Sequence, residues 1–331
     1  MNAQSLQQAG RALDTAYKNW WENREHWNPP KHRKKSKRQS ARFTRGAFTL
    51  KNGVLTLSKI GVIRVLGHNK FKGEPSSVVL SKSPSGRYKV SFQVESPLRP
   101  MGATKNRAIS VDWNTKTFNF FDGQKWRHES LPRPMLAALS RLRTAQKHHD
   151  RCKKGSKNRE KARLRVAQIH QRVADIREDF LQKLSTQLVR DNQTIFVETL
   201  RVKNMLRNRR LARVISDAGF GDFVRMLKYK CEWYGRTLVQ IDTFFPSSKT
   251  CCICHTVNAV LKLQDRWRCS SCQTEHQRDE NAVVNIFVEG LRILAEGRSV
   301  SARGGTVRPK RELRRAPGKR ETSLRICGTA V

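Results

Sequence analysis

Four cysteines in the last third of the chain are spaced to bind one metal ion. They form two Cys-x-x-Cys pairs separated by a short loop: Cys251 with Cys254, and Cys269 with Cys272. Two such pairs can place four thiolates tetrahedrally around Zn²⁺, whereas four buried free thiols would need neither matched spacing nor polar surroundings. Because four thiolates fill the coordination shell, we predict a structural zinc site, with Cys252 outside it and His255 and His276 as flanking substitutes.

Three carboxylates lie far apart in the sequence but could act together. Asp112 and Glu198 lie in the apolar runs ISVDW and TIFVETL, and Asp279 opens a helical run after the second cysteine pair. Each acid alone could be a cap or an ion-pair partner. Burying all three requires positive charge, and oxygen ligands suit Mg²⁺. Together they predict hydrolysis of phosphodiesters with two Mg²⁺ ions, in which no carboxylate needs a raised pKa.

The composition indicates a polyanionic partner. The 331 residues include 67 Lys and Arg against 27 Asp and Glu, a formal charge of +40. Such a charge repels itself unless a polyanion neutralises it, and nucleic acid is the expected partner. The chain contains no apolar run of the roughly 18 residues that a membrane span needs and no signal segment at its start. The scattered Cys152, Cys231 and Cys327 form no disulfide framework, so we expect a prokaryotic cytoplasm or nucleoid.

The acids need strands and helices to bring them together. Residues 108–113 and 117–123 are predicted to form a strand and its hairpin partner, and residues 194–200 and 237–242 to form two more strands. Apolar residues at three- and four-residue steps predict a helical hairpin between the strand at 117–123 and the strand at 194–200. They also predict a closing helix through Asn281. The pattern is that of an α/β domain.

The N-terminal part has a different pattern. Residues 3–21 have the spacing of a helix with one buried face, which ends near Asn28, and a basic linker follows. Short β-rich runs at 54–57, 61–65, 77–80 and 88–94 alternate with glycine turns, and they predict a small antiparallel barrel. The C-terminal segment is basic and rich in Gly and Pro, so we predict that it is disordered.

At these residues the chain resembles TnpB, the transposon-encoded RNA-guided DNA endonuclease of the OrfB family, which is related to the type V CRISPR effectors. The resemblance covers nearly the whole chain and includes ISVDW, IFVETLRVKNM, SSKTCCIC, RWRCSSC and RDENAVVNI. It implies a split RuvC nuclease of RNase H-like fold with an inserted zinc ribbon, preceded by a wedge-type β-barrel and a remnant of a helical recognition domain. The acids Asp112, Glu198 and Asp279 would then be catalytic and bind Mg²⁺, and the four cysteines would bind Zn²⁺.

The resemblance also implies domains and partners. The expected domains are a recognition remnant with basic linker (1–40), a wedge barrel (41–104), the first nuclease part (105–247) with a helical hairpin (134–190), the zinc ribbon (248–275), the last nuclease part (276–296) and a disordered tail (297–331). The expected partners are a guide RNA from the transposon end and double-stranded DNA with a short flanking motif, read by base pairing. A monomer and a dimer are both compatible with the sequence.

Two features depart from the family pattern. The family usually has glycine two residues after the first acid, where this chain has Asn114. The chain also begins at a helix that is normally internal, so we expect a shortened N-terminal region.

Two other functions fit parts of the sequence. A nucleic-acid-binding protein without cleavage would explain the charge and the shortened start, and loss of an acid would favour it. A strand-transferring transposase would need a tyrosine near paired histidines. The adjacent His148 and His149 point apart on a helix, and no tyrosine has that setting.

Overall fold

The computed structural model describes residues 3–32, 39–66, 73–95, 102, 107–114, 116–208, 211–261, 264–297 and 323–326. These residues belong to two compact units. The first comprises Met1–Pro97, Leu142–Ile169 and Arg314–Val331, and the second Leu98–Arg141 and His170–Leu313. The predicted basic linker after residue 32 and the predicted link between barrel and nuclease lie largely outside the described residues.

The described residues form seven helices and fourteen strands. In order they are α1 (Ala3–Glu22), β1 (Gln39–Thr44), β2 (Phe48–Lys51), β3 (Val54–Leu57), β4 (Gly61–Arg64), β5 (Pro75–Lys82), β6 (Tyr88–Val94), β7 (Ala108–Trp113), β8 (Thr117–Phe121), β9 (Trp126–Ser130), α2 (Pro134–Arg151) and α3 (Lys157–Asp191). They continue with β10 (Thr194–Glu198), α4 (Val202–Met205), α5 (Ala212–Ala218), α6 (Phe220–Tyr234), β11 (Thr237–Ile241), β12 (Arg266–Arg268), β13 (Glu275–Gln277), α7 (Arg278–Ala295) and β14 (Ser323–Ile326).

The first unit contains two antiparallel sheets, ordered β1-β5-β6-β14 and β2-β3-β4. They share one core, to which Phe43, Leu55, Val78 and Phe92 contribute. The β-rich runs predicted from the sequence lie at β3, β4, β5 and β6, while β1 and β2 were not predicted. The prediction that the whole tail is disordered is wrong for residues 323–326, which pair with β6, because their backbone groups satisfy the free edge of that strand.

Helix α1 has the predicted extent but not the predicted buried face. None of its described residues is buried, and Leu6 and Leu13 are 54% and 51% exposed. Near its start, Gln4 accepts a hydrogen bond from the hydroxyl of Thr44 in β1 at 3.2 Å. The aromatic side chains near its end contact one another rather than a second layer, as Tyr17 and Trp21 do at 5.4 Å between ring centroids.

The tip of the helical hairpin groups with the sheets of the first unit. Arg163 of α3 donates a hydrogen bond to the carbonyl of Pro84, in the β5–β6 turn, at 3.2 Å. The prediction that residues 134–190 lie within the nuclease domain therefore differs from the units of the structure, which divide α2 and α3 at residues 142 and 169.

The second unit is built on a five-stranded sheet in the order β11-β10-β7-β8-β9. β10 is parallel to β7 and to β11, whereas β8 and β9 continue the sheet antiparallel. Alternate residues point to opposite faces. Ile195 and Val197 pack with residues of α3, α5 and α6, while Phe196 packs with Ile286 and Ile293 of α7. The sheet thus lies between two helical layers.

Close approach of α7 to the sheet depends on Gly290. A Cβ atom at this position would lie 2.3 Å from the ring of Phe196. A glycine is therefore needed where the helix crosses the centre of β10. In the described residues, no helix combines the length and apolar character required to cross a bilayer.

Candidate active site and metal centre

Asp112 and Glu198 lie at the ends of two adjacent parallel strands. Where β7 pairs with β10, the last paired residues are Val111 and Val197. Asp112 directly follows Val111, and Glu198 directly follows Val197. Because side chains alternate along a strand, Glu198 shares the face of Phe196, the face covered by α7. The sequence places acids at both strand ends, and the parallel pairing makes them neighbours.

Asp279 reaches the same place from α7. It lies in the first turn of the helix, and Ser110 of β7 donates a hydrogen bond to the carbonyl of Val283 one turn later, at 2.7 Å. Ser110 and Asp112 are two residues apart, so they share a face. The structure therefore brings together the three acids that the sequence singled out.

The electrostatics of the site reflect this proximity. Burial, followed by the charges of Glu198 and Asp279, raises the pKa of Asp112 to about 8. Burial also raises the pKa of Glu198, against a hydrogen bond from Ser247. Without bound cations, burial and like charge favour the protonated form, and that the two-metal reaction needs no raised pKa stays a prediction. A bound cation offsets both effects.

Two polar side chains hold the acids. The hydroxyl of Ser247 donates a short hydrogen bond to Oε1 of Glu198. The side-chain amide of Asn114 donates to Oδ2 of Asp279 at 2.7 Å, and its oxygen accepts the backbone N–H groups of Lys116 and Thr117, each at 2.7 Å. The residue that replaces the family's glycine therefore closes the β7–β8 turn and contacts a site acid.

The four predicted cysteine ligands form one compact cluster. Their Sγ atoms all lie within 4.8 Å of one another, with Cys251 and Cys272 3.6 Å apart and Cys254 and Cys269 3.6 Å apart. In the part of the chain that the structure describes, no other group of histidine, cysteine or acidic ligands is as compact. This donor set fits Zn²⁺.

The two cysteine pairs have the same local geometry. After each pair a residue adopts positive φ, His255 at 60° and Gln273 at 62°. Their N–H groups donate to the carbonyls of Cys251 and Cys269 at 2.9 and 3.0 Å. Hydrogen bonding with the side chain and backbone of Thr256 lowers the pKa of Cys254 to about 5, which favours a thiolate. Two equivalent turns thus present four sulfur atoms to one point.

The flanking residues take different roles. His276 Nε2 lies 3.1 Å from Cys251 Sγ, and its ring packs on Trp267 at 4.7 Å between centroids. His276 therefore contacts Cys251 but is not one of the four clustered ligand residues. Cys252 lies outside that cluster and donates its N–H to Oδ1 of Asn281 at 2.9 Å, and His255 occupies a turn position.

Asn281 and Asn285 connect the cysteine cluster to the acids, and sequence reasoning did not assign them this role. Both side-chain amides donate to the carbonyls of Ser247 and Thr250, Asn285 at 2.8 and 2.6 Å and Asn281 at 3.4 and 2.7 Å. The sequence signal for such a link is a pair of asparagines, four residues apart, on the otherwise apolar buried side of a helix. No loop intervenes, because β13 ends at Gln277 and α7 begins at the next residue.

The acids offer a different donor set. Three carboxylates contribute only oxygen ligands, whereas the cysteine cluster contributes only sulfur. Oxygen ligands of this kind suit hard divalent cations, and thiolates suit Zn²⁺.

The chain is similar to known proteins along most of its length. Residues 89–209 match the OrfB_IS605 family, described as "Probable transposase", and residues 220–286 match the "Cas12f1-like, TNB domain". A protein of Streptomyces pristinaespiralis named "Putative RNA-guided DNA endonuclease" is 45% identical over 315 residues, which cover 93% of this chain and 74% of that protein. The chain belongs to the TnpB (OrfB) family.

Other similarities are more distant. A Mycobacterium tuberculosis protein with the same descriptive name is 32% identical over 264 residues, covering 74% of this TnpB-family chain and 57% of the relative. A solved structure described as "Cryo-EM structure of the Cas12f1-sgRNA-target DNA complex" aligns with a TM-score of 0.47 at 13% identity. That alignment covers 75% of this chain and 59% of the solved one.

Proposed function

We propose that this protein is an RNA-guided DNA endonuclease of a transposable element, which cleaves DNA at a RuvC-like site of RNase H-like fold. The observation that carries the proposal is the meeting of Asp112, Glu198 and Asp279 from three separate segments on one face of the sheet. The names of its relatives support the same function.

In this proposal the protein's own groups prepare the site. Asp112, Glu198 and Asp279 hold two Mg²⁺ ions, while Asn114 and Ser247 orient two of these carboxylates. When bound, the ions supply activation of the attacking water and stabilisation of the leaving oxygen. Burial and the two neighbouring acids raise the pKa of Asp112, and the same clustered negative charge attracts cations, which compete with the proton.

The remaining parts would bind and position nucleic acid. The +40 charge suits a guide RNA and a double-stranded DNA target in the prokaryotic cytoplasm. We assign the part of the first unit's sheets that lies within residues 41–104 to the wedge domain. This domain would bind the guide and the target-flanking motif. Zn²⁺ held by the cysteine cluster would be structural, and it would fix the strand β13, which leads directly into α7.

Cleavage of a target plasmid tests the proposal. The purified protein with an RNA from the transposon end should cut the matched plasmid in Mg²⁺, and omission of the RNA should abolish cutting. Asp112→Ala should slow cleavage by roughly 10³-fold, because it removes a metal ligand. The control Asp265→Asn changes an exposed acid of the same unit by one charge, and it should cut normally.

The outcomes separate the two candidate functions. Equal cleavage by the wild type and Asp112→Ala would show that the acids are not catalytic. Binding of RNA and DNA that persists in EDTA, with no cleavage under any condition, would instead identify a guide-directed binding protein.

A further inference from the structure

Arg201 and Phe244 form a cation–π pair on the two loops beside the acids. The guanidinium carbon of Arg201 lies 5.1 Å from the ring centroid of Phe244. Arg201 follows Glu198 by three residues, and Phe244 follows Ile241, the end of β11, by three residues. Because β10 and β11 are parallel neighbours, both loops leave the sheet at the edge that carries Glu198.

Hydrogen bonds tie these loops to each other and to the acid. The N–H of Thr199 donates to the carbonyl of Ile241 at 3.1 Å. Further along, the Ser247 hydroxyl donates to Glu198. On the other loop, the carbonyl of Arg201 accepts the N–H of Asn204 at 2.9 Å. The pair therefore has a fixed position relative to Glu198.

The ring of Phe244 is held outward. Its N–H donates to Oδ1 of Asp242 at 2.7 Å, and the next residue, Phe245, packs in the core with Ile241 and Ile286. Phe244 is consequently 76% exposed although its backbone is anchored on both sides. Its exposure is a property of the loop geometry rather than of a loose segment.

An exposed apolar side chain alone carries no functional meaning, since many proteins have them. Here the side chain is a flat ring, one face of it is covered by a guanidinium, and the pair lies on the loops that follow β10 and β11, beside Glu198, in a strongly basic protein. The other face of the ring is the surface on which a base can stack, while a guanidinium binds phosphate oxygens. These are the two contacts that single-stranded nucleic acid offers.

We propose that Arg201 and Phe244 form a binding site for the nucleotide next to the cleaved phosphate, with the base stacked on the ring and its phosphate bound by the guanidinium. This inference rests on the proposed nuclease function, but binding of a nucleotide by the pair can be measured without cleavage. The pair would hold a single strand across the acids.

Cleavage by the guided protein is the first test. Phe244→Ala should slow cleavage at limiting DNA by about tenfold, the loss typical of one base stack. Phe244→Trp should keep the wild-type rate, and Phe244→Leu should resemble the alanine variant, because stacking needs a ring. An abasic residue at one position beside the cut should slow the wild type to the rate of Phe244→Ala and leave that variant unchanged.

Binding of a fluorescein-labelled oligothymidine to the full chain in EDTA is the second test. Phe244→Ala should weaken binding about tenfold without changing its salt dependence. Arg201→Ala should reduce the slope of log K against log salt by about one, since one phosphate contact is lost. Arg207→Ala removes an exposed charge from the same segment, and Val260→Ala truncates an exposed apolar side chain. Both controls should match the wild type.

The two tests give distinguishable failures. A wild type that does not cut contradicts the proposed nuclease function, and the oligothymidine binding then decides on the pair. Wild-type cleavage by Phe244→Ala, or equal binding by the wild type and Phe244→Ala, overturns the inference. Equal losses for Arg201→Ala and Arg207→Ala would assign only general charge to Arg201.

Discussion

Asn114 joins the end of β7 to the beginning of α7. Its oxygen closes the turn after Trp113, and its amide group orients the carboxylate of Asp279. A glycine at this position could make the turn but could not donate this hydrogen bond. In this chain the orientation of one acid therefore depends on a side chain that carries no charge itself.

Substitution of Asn114 tests this dependence. Asn114→Ala removes the donor and the oxygen that accepts both turn hydrogen bonds, while Asn114→Asp keeps an accepting oxygen and replaces the donor with a negatively charged oxygen. Both should lower cleavage or apparent Mg²⁺ affinity by about 10–100-fold, as loss of an orienting partner does in other metal sites. Mg²⁺ titrations of the cleavage rate measure this. Full activity in Asn114→Asp would show that only the turn matters.

The raised pKa of Asp112 predicts a pH-dependent stability. Its pKa in the fold is about 8 against 3.8 for the free group, so protonation stabilises the fold fully below about pH 4. This contribution is lost as the pH rises through 8. Asp112→Asn cannot ionise, so in EDTA at pH 8 its melting temperature should exceed that of the wild type by about 2–4 °C, the effect of about 1 kcal/mol.

Melting curves at several pH values check this sign. The difference between Asp112→Asn and the wild type should shrink toward pH 4 and shrink again when Mg²⁺ is added at pH 8, since the ion stabilises the charged site. Asp265→Asn provides the matched control and should show no such trend. A constant difference across the pH range would contradict the assigned pKa.

At the scale of elements, α7 links the zinc-ligand cluster to the acids. Asn281 accepts the N–H of Cys252 inside the first cysteine pair and donates to the carbonyls of Ser247 and Thr250. The Ser247 side chain in turn holds Glu198. The cluster, the loop before it and the first turns of α7 therefore form one hydrogen-bonded body.

Removal of zinc should loosen this body. A zinc-selective chelator in excess Mg²⁺ should raise amide hydrogen exchange at residues 247–252 and 278–286, and it should slow cleavage. Exchange in β9 should stay the same, because this edge strand is separated from β7 by β8. Asn285→Ala should destabilise the fold by about 1–3 kcal/mol, since it leaves buried carbonyls without one donor. Unchanged exchange in α7 after chelation would contradict the link.

The sequence predicted the elements whose signal is local. The three acids and four cysteines are recognisable because each departs from its surroundings, and α2, α3, β7 and β10 follow from their periodicity. The partners of the acids depend on contacts between distant residues, such as Asn114 with Asp279, 165 positions apart. No local pattern records such contacts, and the edge strands β1, β2 and β9 bury almost no side chains, so their sequences lack a clear apolar alternation.

At the scale of the whole molecule, the net charge promotes binding of nucleic acid but does not recognise a sequence. A net charge of +40 attracts any nucleic acid by release of counterions, so it contributes affinity without sequence preference. Under the proposed function, base pairing with the guide would supply the preference. The two contributions respond differently to salt, and this difference can be measured.

Non-specific RNA binding by the protein should fall steeply as salt rises. With 6–10 phosphate contacts the affinity for an unrelated RNA is expected to drop by about 10³–10⁵ between 50 and 200 mM NaCl, because each contact releases counterions. Retention of a matched DNA target by the guided protein should fall much less, since base pairs hold it. Filter binding with matched and scrambled targets measures both. Equal salt dependence for the two targets would mean that charge alone holds the DNA and that the guide contributes no recognition.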